Sequence, residues 1–400
     1  MKTQKLKLGI IGTVGVPAKY GGFETLVHQL IPKLNNRFDI TVYCSEKAYS
    51  EKERMTSWKG ANLHYIPLKA NGLQSILYDL WSTLHAIRHC EVLLILGVSA
   101  CLFLPLIKLF STKKIIVNID GLEWRRPKWN KFARLFLLIS ERMACKYADE
   151  IVTDNRILKE YAKIRYQIDS RLIEYGADHN SPVKAQKEDF NTYPFLGKPY
   201  AFKVARIEPE NNLHMILEAF ANVPDKTLVI VGNWDNSNYG KSLKAKYGKC
   251  KNIHLYDPIY TPSQLNLLRS NASLYVHGHS AGGTNPSLVE AMYLGLPVLS
   301  FDVIYNRVTT NNQAMYFSSV TDLYKTVQNI QKFPLRTNAK QMRAYAEKAY
   351  LWKHIAMKYG NLIEGKEATV TSLSLKHSLQ VQSIKTKVAN PPQSMAAMAK

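Results

Sequence analysis

Short, almost unbroken apolar runs recur along this chain, each ending at a glycine or polar turn and followed by apolar positions at helical spacing. Leu6 to Ile11 is the first, and it stops at Gly12. Others lie at Ile40 to Cys44, Val92 to Leu96, Ile115 to Ile119 and Ile151 to Thr153. Strands that are apolar on both faces are covered on both faces, and strands alternating with helices make a parallel sheet. A second series is predicted at Tyr200 to Ala205, Thr227 to Val231, Ile253 to Tyr256, Ala272 to His277 and Pro297 to Phe301. Within it, Thr261-Pro262-Ser263-Gln264 reads as a capping box with proline at the first helical position.

Between the two series the pattern gives way to a polar segment carrying Pro182, Gly197 and Pro199, which predicts an interdomain linker. The chain divides accordingly into a first α/β domain over residues 1–182, a second over 199–346, a helical segment over 347–365 and a tail over 366–400. Helix is predicted from Arg343 to Glu364. The tail is rich in Ser, Lys and Gln and is expected to be disordered. Val92 to Phe110 is apolar enough to raise the question of a membrane span. A spanning helix needs about 20 uninterrupted apolar residues, whereas Gly97, Ser99, Pro105 and Lys108 break this segment. It reads as a buried strand, a turn and an apolar helix able to touch a bilayer.

A length of 400 residues with 46% hydrophobic content suffices for two cores of ordinary size. The net charge of +22 implies an anionic partner: nucleic acid, a phospholipid surface or a phosphorylated small molecule. The absence of zinc-finger spacing and of an RNP-type aromatic motif argues against nucleic acid. Cys44, Cys90, Cys101, Cys145 and Cys250 form no C-x-x-C pair, and no cleavable signal peptide opens the chain. Both features point to a reduced, cytoplasmic protein without a zinc site.

The chemistry concentrates where predicted strands end. After Ala272 to His277 comes Gly282-Gly283-Thr284-Asn285-Pro286-Ser287-Leu288-Val289-Glu290, a glycine loop opening a helix that Gly295 and Pro297 terminate. Glycines allow close approach of the main chain to a ligand, Thr284 or Asn285 can cap the helix, and Pro286 suits its first turn. Such a loop cradles an anion, phosphate above all; it also serves as a plain capped turn. Glu290 lies on the loop side of that helix and can accept from ribose or sugar hydroxyls, or stand as a solvated first-turn glutamate.

Arg206 ends the first strand of the second series, where open parallel sheets bind ligands, and a guanidinium there can clamp a diphosphate or pair with Glu208 or Glu210. Asp120, with Gly121, ends the strand Ile115 to Ile119 and can position an acceptor hydroxyl or stabilise charge developing on a sugar ring; a turn aspartate is the simpler reading. His277 and His279 precede the cradle, within reach of its ligand or bound to backbone. The stretch containing Trp124, Arg125, Arg126, Lys128 and Trp129 interleaves cations with aromatics, as a surface resting on anionic headgroups does, or as a solvated face. No D-x-D pair or H-E-x-x-H occurs, which withdraws the main support for metal-bridged phosphate chemistry.

Together these residues resemble the retaining glycosyltransferases of family 4, which have the GT-B fold. The resemblance reaches to about Glu364. The run Ile11 to Thr25 looks like the opening of the rhamnosyltransferase-type subgroup, and Asn118 to Trp124, Arg206 to Asn212 and the cradle carry the rest. The resemblance implies an α/β protein of two Rossmann-like domains with parallel sheets facing across a cleft, the last helix crossing back to the first domain. It implies transfer of a sugar from a nucleotide-diphosphate donor held by the second domain to an acceptor held by the first, with anomeric configuration kept and no metal or other cofactor required. The family's paired glutamates fall here on Gly282 and Glu290, and its phosphate lysine falls on Asn211, so that Arg206 would share the diphosphate with helix amides or with Lys241. Asp120, Arg206 and Glu290 would carry catalysis, with Gly21, Gly22, Lys241, His279, Gly282, Gly283, Thr284 and Asn285 around the donor. The subgroup implies dTDP-rhamnose as donor and a lipid-linked oligosaccharide as acceptor in capsule or O-antigen assembly, on the anionic inner face of the plasma membrane. A UDP-hexose transferase, a nucleotide-sugar epimerase, and a non-catalytic basic protein binding membranes or nucleic acid are the alternatives.

Overall fold

The computed structural model describes residues 4–19, 21–126 and 129–366. The first sheet is built from β1 (Leu6–Ile11), β2 (Phe38–Ser45), β3 (Ser57–Trp58), β4 (Ala61–Ile66), β5 (Val92–Leu96), β6 (Lys114–Asn118), β7 (Glu150–Thr153) and β8 (Arg171–Leu172). The second contains β9 (Tyr200–Val204), β10 (Thr227–Val231), β11 (Ile253–Tyr256), β12 (Leu274–His277), β13 (Val298–Phe301) and β14 (Met315–Phe317). All described pairings are parallel except β3 with β4. The ten predicted strands are all present, displaced by at most two residues at either end. The strands β3, β4, β8 and β14 were not predicted; β3, β8 and β14 are too short to show a period, and β4 alternates with polar Asn62 and His64.

The first sheet runs β3-β4-β2-β1-β5-β6-β7-β8 and the second β11-β10-β9-β12-β13-β14. Strand order therefore reverses between β1 and β5 in one sheet and between β9 and β12 in the other. The crevice outside the carboxyl ends at such a switch point is where α/β sheets bind ligands. Arg206 follows β9 and the glycine cradle follows β12, one on each side of the second switch point.

The first sheet is covered by α1 (Gly22–Leu34), α2 (Gln74–His89), α3 (Leu104–Phe110), α4 (Lys131–Tyr147) and α5 (Arg156–Tyr166). Right-handed crossovers send α1 to one face and α2, α3 and α4 to the other. On that second face Tyr78, Ala86, Leu104, Ile107, Leu137 and Ala144 bury against Leu93, Ile95, Ile115 and Val117. A short α6 (Asp189–Thr192) lies between the two sheets in sequence, followed by α7 (Leu213–Ala221), α8 (Asn238–Tyr247), α9 (Pro262–Ser270), α10 (Pro286–Tyr293), α11 (Ile304–Thr309), α12 (Val320–Gln328) and α13 (Leu335–Ala349). Their core joins Leu228, Ile230, Leu274 and Val276 to Ile216, Phe220 and Leu323. Thr261 sits at the start of α9 as predicted, but its side chain makes no capping bond.

The chain crosses between the sheets twice, and the crossings pack on each other. Ala177 N–H donates to the Tyr350 carbonyl at 2.7 Å, Trp352 N–H to Asp178 Oδ1 at 2.6 Å, and Trp352 Nε1 to His179 Nδ1 at 2.9 Å. Capture of the Tyr350 carbonyl breaks the single predicted helix into α13 and α14 (Trp352–Glu364). The last helix returns to the first sheet: Asn118 Nδ2 donates to Tyr359 Oη at 2.9 Å, and Lys358 pairs with Glu174 at 2.6 Å. Met1–Gly360 is one compact unit, and the tail expected to be disordered lies, apart from Lys366, outside the described residues.

Candidate active site

The cradle is built as its residues dictate. Asn285 caps α10, its Oδ1 accepting from Ser287 N–H at 3.1 Å and from Ser287 Oγ at 2.8 Å. Pro286 opens the helix, and Gly283 takes φ 100°, which a side chain would strain. Gly282 is packed so closely on Tyr305 that a Cβ there would lie 3.1 Å from the ring, and its carbonyl lies against Gly121 of the first domain. Glycine at 282 thus has a physical reason: Tyr305 and the Asp120–Gly121 loop fill the space around it.

One expectation needs correction. The Thr284 amide, read as pointing at a diphosphate, donates instead to Asp154 Oδ2 at 3.0 Å, and Thr284 Oγ1 donates to the Asp154 carbonyl at 2.6 Å. Asp154 follows β7, at the same carboxyl edge as Asp120. Its Oδ1 is buried without a hydrogen-bond partner. Burial, with the Asp120 charge adding to it, pushes the Asp154 carboxyl up to about 8. Asn155 adds Nδ2 contacts to Thr284 Oγ1 at 3.4 Å and Thr309 Oγ1 at 3.2 Å.

Asp120 stands at φ 57°, a conformation aspartate tolerates better than most residues, with its N–H donating to Asn118 Oδ1 at 3.0 Å. Burial raises its carboxyl above the ordinary value, against the pull of Arg126 and Arg206. The fold therefore brings Asp120 and Arg206 together across the cleft. Arg206 is exposed, and its carbonyl accepts from Asn211 Nδ2 at 2.9 Å. Asn211 Oδ1 also contacts His279 Nδ1 at 3.2 Å, so the residue at the lysine position braces the site without supplying charge. His279 is held neutral: burial, then Arg126, Lys203 and Arg206, lower it to about 3. His277 is fully buried, with neither ring nitrogen partnered.

Glu290 is held at both oxygens. Arg269 Nη2 meets Oε2 at 2.9 Å and His179 Nε2 meets Oε1 at 3.3 Å. Burial pushes this carboxyl up, but Arg269 and His179 outweigh burial and keep it below the ordinary value. Arg269 is only 2% exposed and also donates to Asn180 Oδ1 at 3.0 Å, tying α10 to the crossing segment. Opposite the cradle, Gly21 takes φ 127° with Glu24 folded against it, and Val14 N–H donates to Glu24 Oε1 at 2.8 Å. A Cβ on Gly22 would lie 3.6 Å from Pro286 Cγ, so the amino ends of α1 and α10 face each other. Lys241 is exposed on α8, whose start is tied to the Arg206 loop by Ser237 Oγ donating to the Ile207 carbonyl at 3.4 Å. Among the described residues, no hydrogen bond or ion pair places its ammonium on the cradle.

Part of the basic aromatic stretch turns inward. Glu123 draws it inward, pairing with Arg126 Nε at 2.7 Å and accepting from Trp129 Nε1 at 3.1 Å. Trp124 packs on the buried core, with Arg125 4.9 Å and Arg165 5.4 Å from its ring. Arg126 faces Asp120 and His279. Trp124, Arg126 and Trp129 are therefore half-buried; Arg125 alone of the four described is exposed, and Lys128 lies outside the described residues. Asp154, Asn155, His179, Arg269 and Tyr305 were missed from the sequence. Only Asp154 carried a local signal, its place at a strand's carboxyl end.

Residues 185–350 match the family described as "Glycosyl transferases group 1", and residues 5–178 match "Domain of unknown function (DUF1972)". No curated protein matches the chain in sequence. Sucrose-phosphate synthase from Thermosynechococcus elongatus is similar in structure, with TM-score 0.74 and 17% identity over 90% of this chain and 99% of that one. WaaG, a glycosyltransferase involved in lipopolysaccharide biosynthesis, gives 0.66 and 16% over 90% and 100%. HepE from Anabaena in complex with UDP-glucose gives 0.65 and 13% over 90% and 100%. The fold is GT-B, and residues 185–350 carry the glycosyl transferases group 1 match within it.

Proposed function

We propose that this chain is a glycosyltransferase that retains anomeric configuration, as family 4 enzymes do, and moves L-rhamnose from dTDP-rhamnose onto a lipid-linked saccharide in bacterial surface polysaccharide assembly. The observation that carries the transfer chemistry is the convergence of Arg206, the Gly282–Asn285 cradle and Asp120 at one switch-point cleft. The donor diphosphate lies over the cradle, and the exposed Arg206 guanidinium neutralises it as it leaves. The Thr284 amide joins that cradle once the diphosphate displaces the Asp154 carboxylate. Asp120 and Asp154 stand beside the sugar, both shifted upward by burial, and Asp154, raised to about 8, can hold a proton near neutral pH. The acceptor hydroxyl attacks on the face from which the diphosphate departs, and positioning supplies much of the rate. The scheme requires no metal.

The rhamnose assignment rests on the resemblance of Ile11 to Thr25 to rhamnosyltransferase-type sequences and on the side-chain-free place at Gly282, where the family's first glutamate reads the donor sugar. A deoxy sugar presents fewer hydroxyls to be read. A UDP-hexose donor is the second reading, favoured by the likeness to a fold that holds UDP-glucose in HepE. Titration of the purified chain with dTDP-rhamnose, UDP-glucose and UDP-galactose separates them: tightest binding of dTDP-rhamnose is expected, and preference for either UDP-hexose overturns the rhamnose assignment.

A further inference from the structure

Three neighbouring helices carry large apolar side chains on the side facing away from their core. On α2 and the residue before it, Leu73, Leu77, Trp81 and Leu84 are 91, 58, 52 and 48% exposed and recur at helical spacing. They lie opposite the buried Tyr78, Ser82 and Ala86. On α4, Phe132, Leu135 and Ile139 form the same kind of stripe opposite Leu137, Ser140 and Ala144. The apolar helix α3 adds Leu106, Leu109 and Phe110, the last 80% exposed. Because all three helices pack on one face of the first sheet, the stripes share one side of the domain. Scattered exposed leucines need no explanation, but stripes on three adjacent helices do.

Charge selects the occupant. The only carboxylates on α2, α3 and α4 are Asp79 and Glu141, 5% and 1% exposed. Arg88, Lys131, Arg142 and Lys146 on the same helices are exposed. A second copy packed isologously would set cation against cation. An anionic bilayer satisfies both features, receiving the apolar side chains at the headgroup boundary while its phosphates meet the cations. No helix among the described residues is long and apolar enough to cross a membrane. Leu73 and Phe132 sit at helix amino ends, on the sheet edge that carries the cleft, so docking there brings the cleft mouth to the lipid.

We propose that the outer faces of α2, α3 and α4 form the docking surface for an anionic lipid bilayer. This deepens the membrane-facing part of the reading above and is read without any sugar transfer. The test is sedimentation of the full chain with vesicles of equal parts phosphatidylglycerol and phosphatidylcholine, and with phosphatidylcholine alone. Binding to the anionic vesicles that weakens with salt is expected, falling about tenfold or more in Phe110→Ser/Phe132→Ser and also in Lys131→Glu/Arg142→Glu. Circular dichroism and dTDP affinity of both variants stay as in the parent, since these side chains are exposed. Absence of binding to anionic vesicles, or undiminished binding by the double serine variant, overturns the proposal. So does a parent chain that dimerises through this face, with the serine variant monomeric and the parent indifferent to lipid. If no nucleotide sugar supports transfer while vesicle binding holds, the functional reading fails and the docking surface stands.

Discussion

Thr284 donates its backbone N–H to the Asp154 carboxylate at 3.0 Å, joining the second domain's cradle to the first domain's strand edge. The carboxylate thereby uses an amide that the diphosphate needs. Asp154→Ala is expected to tighten dTDP binding about fivefold, the equivalent of one hydrogen bond of about 1 kcal/mol. Asp154→Asn, which keeps a carbonyl acceptor, should leave affinity near the parent value. Calorimetric titration reads both, and weaker binding by Asp154→Ala would show that the carboxylate supports the nucleotide rather than competing with it.

The same aspartate sets a pH dependence. Its carboxyl is raised to about 8 by burial and by Asp120, so the folded chain holds a proton that the unfolded chain releases near pH 4. The stabilising share is present at low pH and is lost as pH rises through about 8. Lys203, buried without a partner and lowered by burial to about 7, works in the opposite sense. The comparison is therefore between the parent and Asp154→Asn. Their Tm difference should shift steadily against the parent as pH rises from about 5 to about 9; a constant difference contradicts the assignment.

Glu290 and Arg269 form a buried pair, and removing one partner strands the other. Arg269→Ala should cost about 3–5 kcal/mol of unfolding free energy, while Glu290→Gln/Arg269→Met recovers part of that loss. Urea denaturation measures both. A loss below about 1 kcal/mol for Arg269→Ala would mean that His179 alone suffices to hold Glu290.

Arg206 is exposed, so its loss should spare stability and strike the donor. Arg206→Ala is expected to weaken dTDP binding about 10–100-fold, the range of a charge-assisted hydrogen bond. Arg206→Lys should fall between, because it keeps the charge and loses the bidentate fork. Unchanged affinity in Arg206→Ala would remove Arg206 from the donor site.

Much of this was legible because parallel sheets place ligands at strand ends. Asp120, Arg206 and the Gly282–Glu290 cradle each follow a run whose apolar pattern marks a strand, and the fold brings them to one cleft. The partners that set their chemistry are distant in sequence. Nothing near Thr284 announces Asp154, and nothing within α9 distinguishes Arg269 from a surface arginine until Glu290 is packed beside it. In the basic aromatic stretch the inward contacts were not legible: a single residue within it, Glu123, turns Arg126 and Trp129 inward, while Arg125, Lys131 and Phe132 stay exposed. The exposed stripes of α2 and α4 were hidden because a helix apolar on both sides shows no clean amphipathic period.

The central claim is sugar transfer from a nucleotide diphosphate at this cleft, and one assay tests it most directly. The purified chain is incubated with membrane extract and radiolabelled dTDP-rhamnose, UDP-glucose or UDP-galactose, and label is followed into lipid, with NMR of the product's anomeric centre. Transfer from dTDP-rhamnose with configuration retained, lost in Arg206→Ala, is the predicted result. Label reaching lipid from none of the three donors, or a product of inverted configuration, would contradict it.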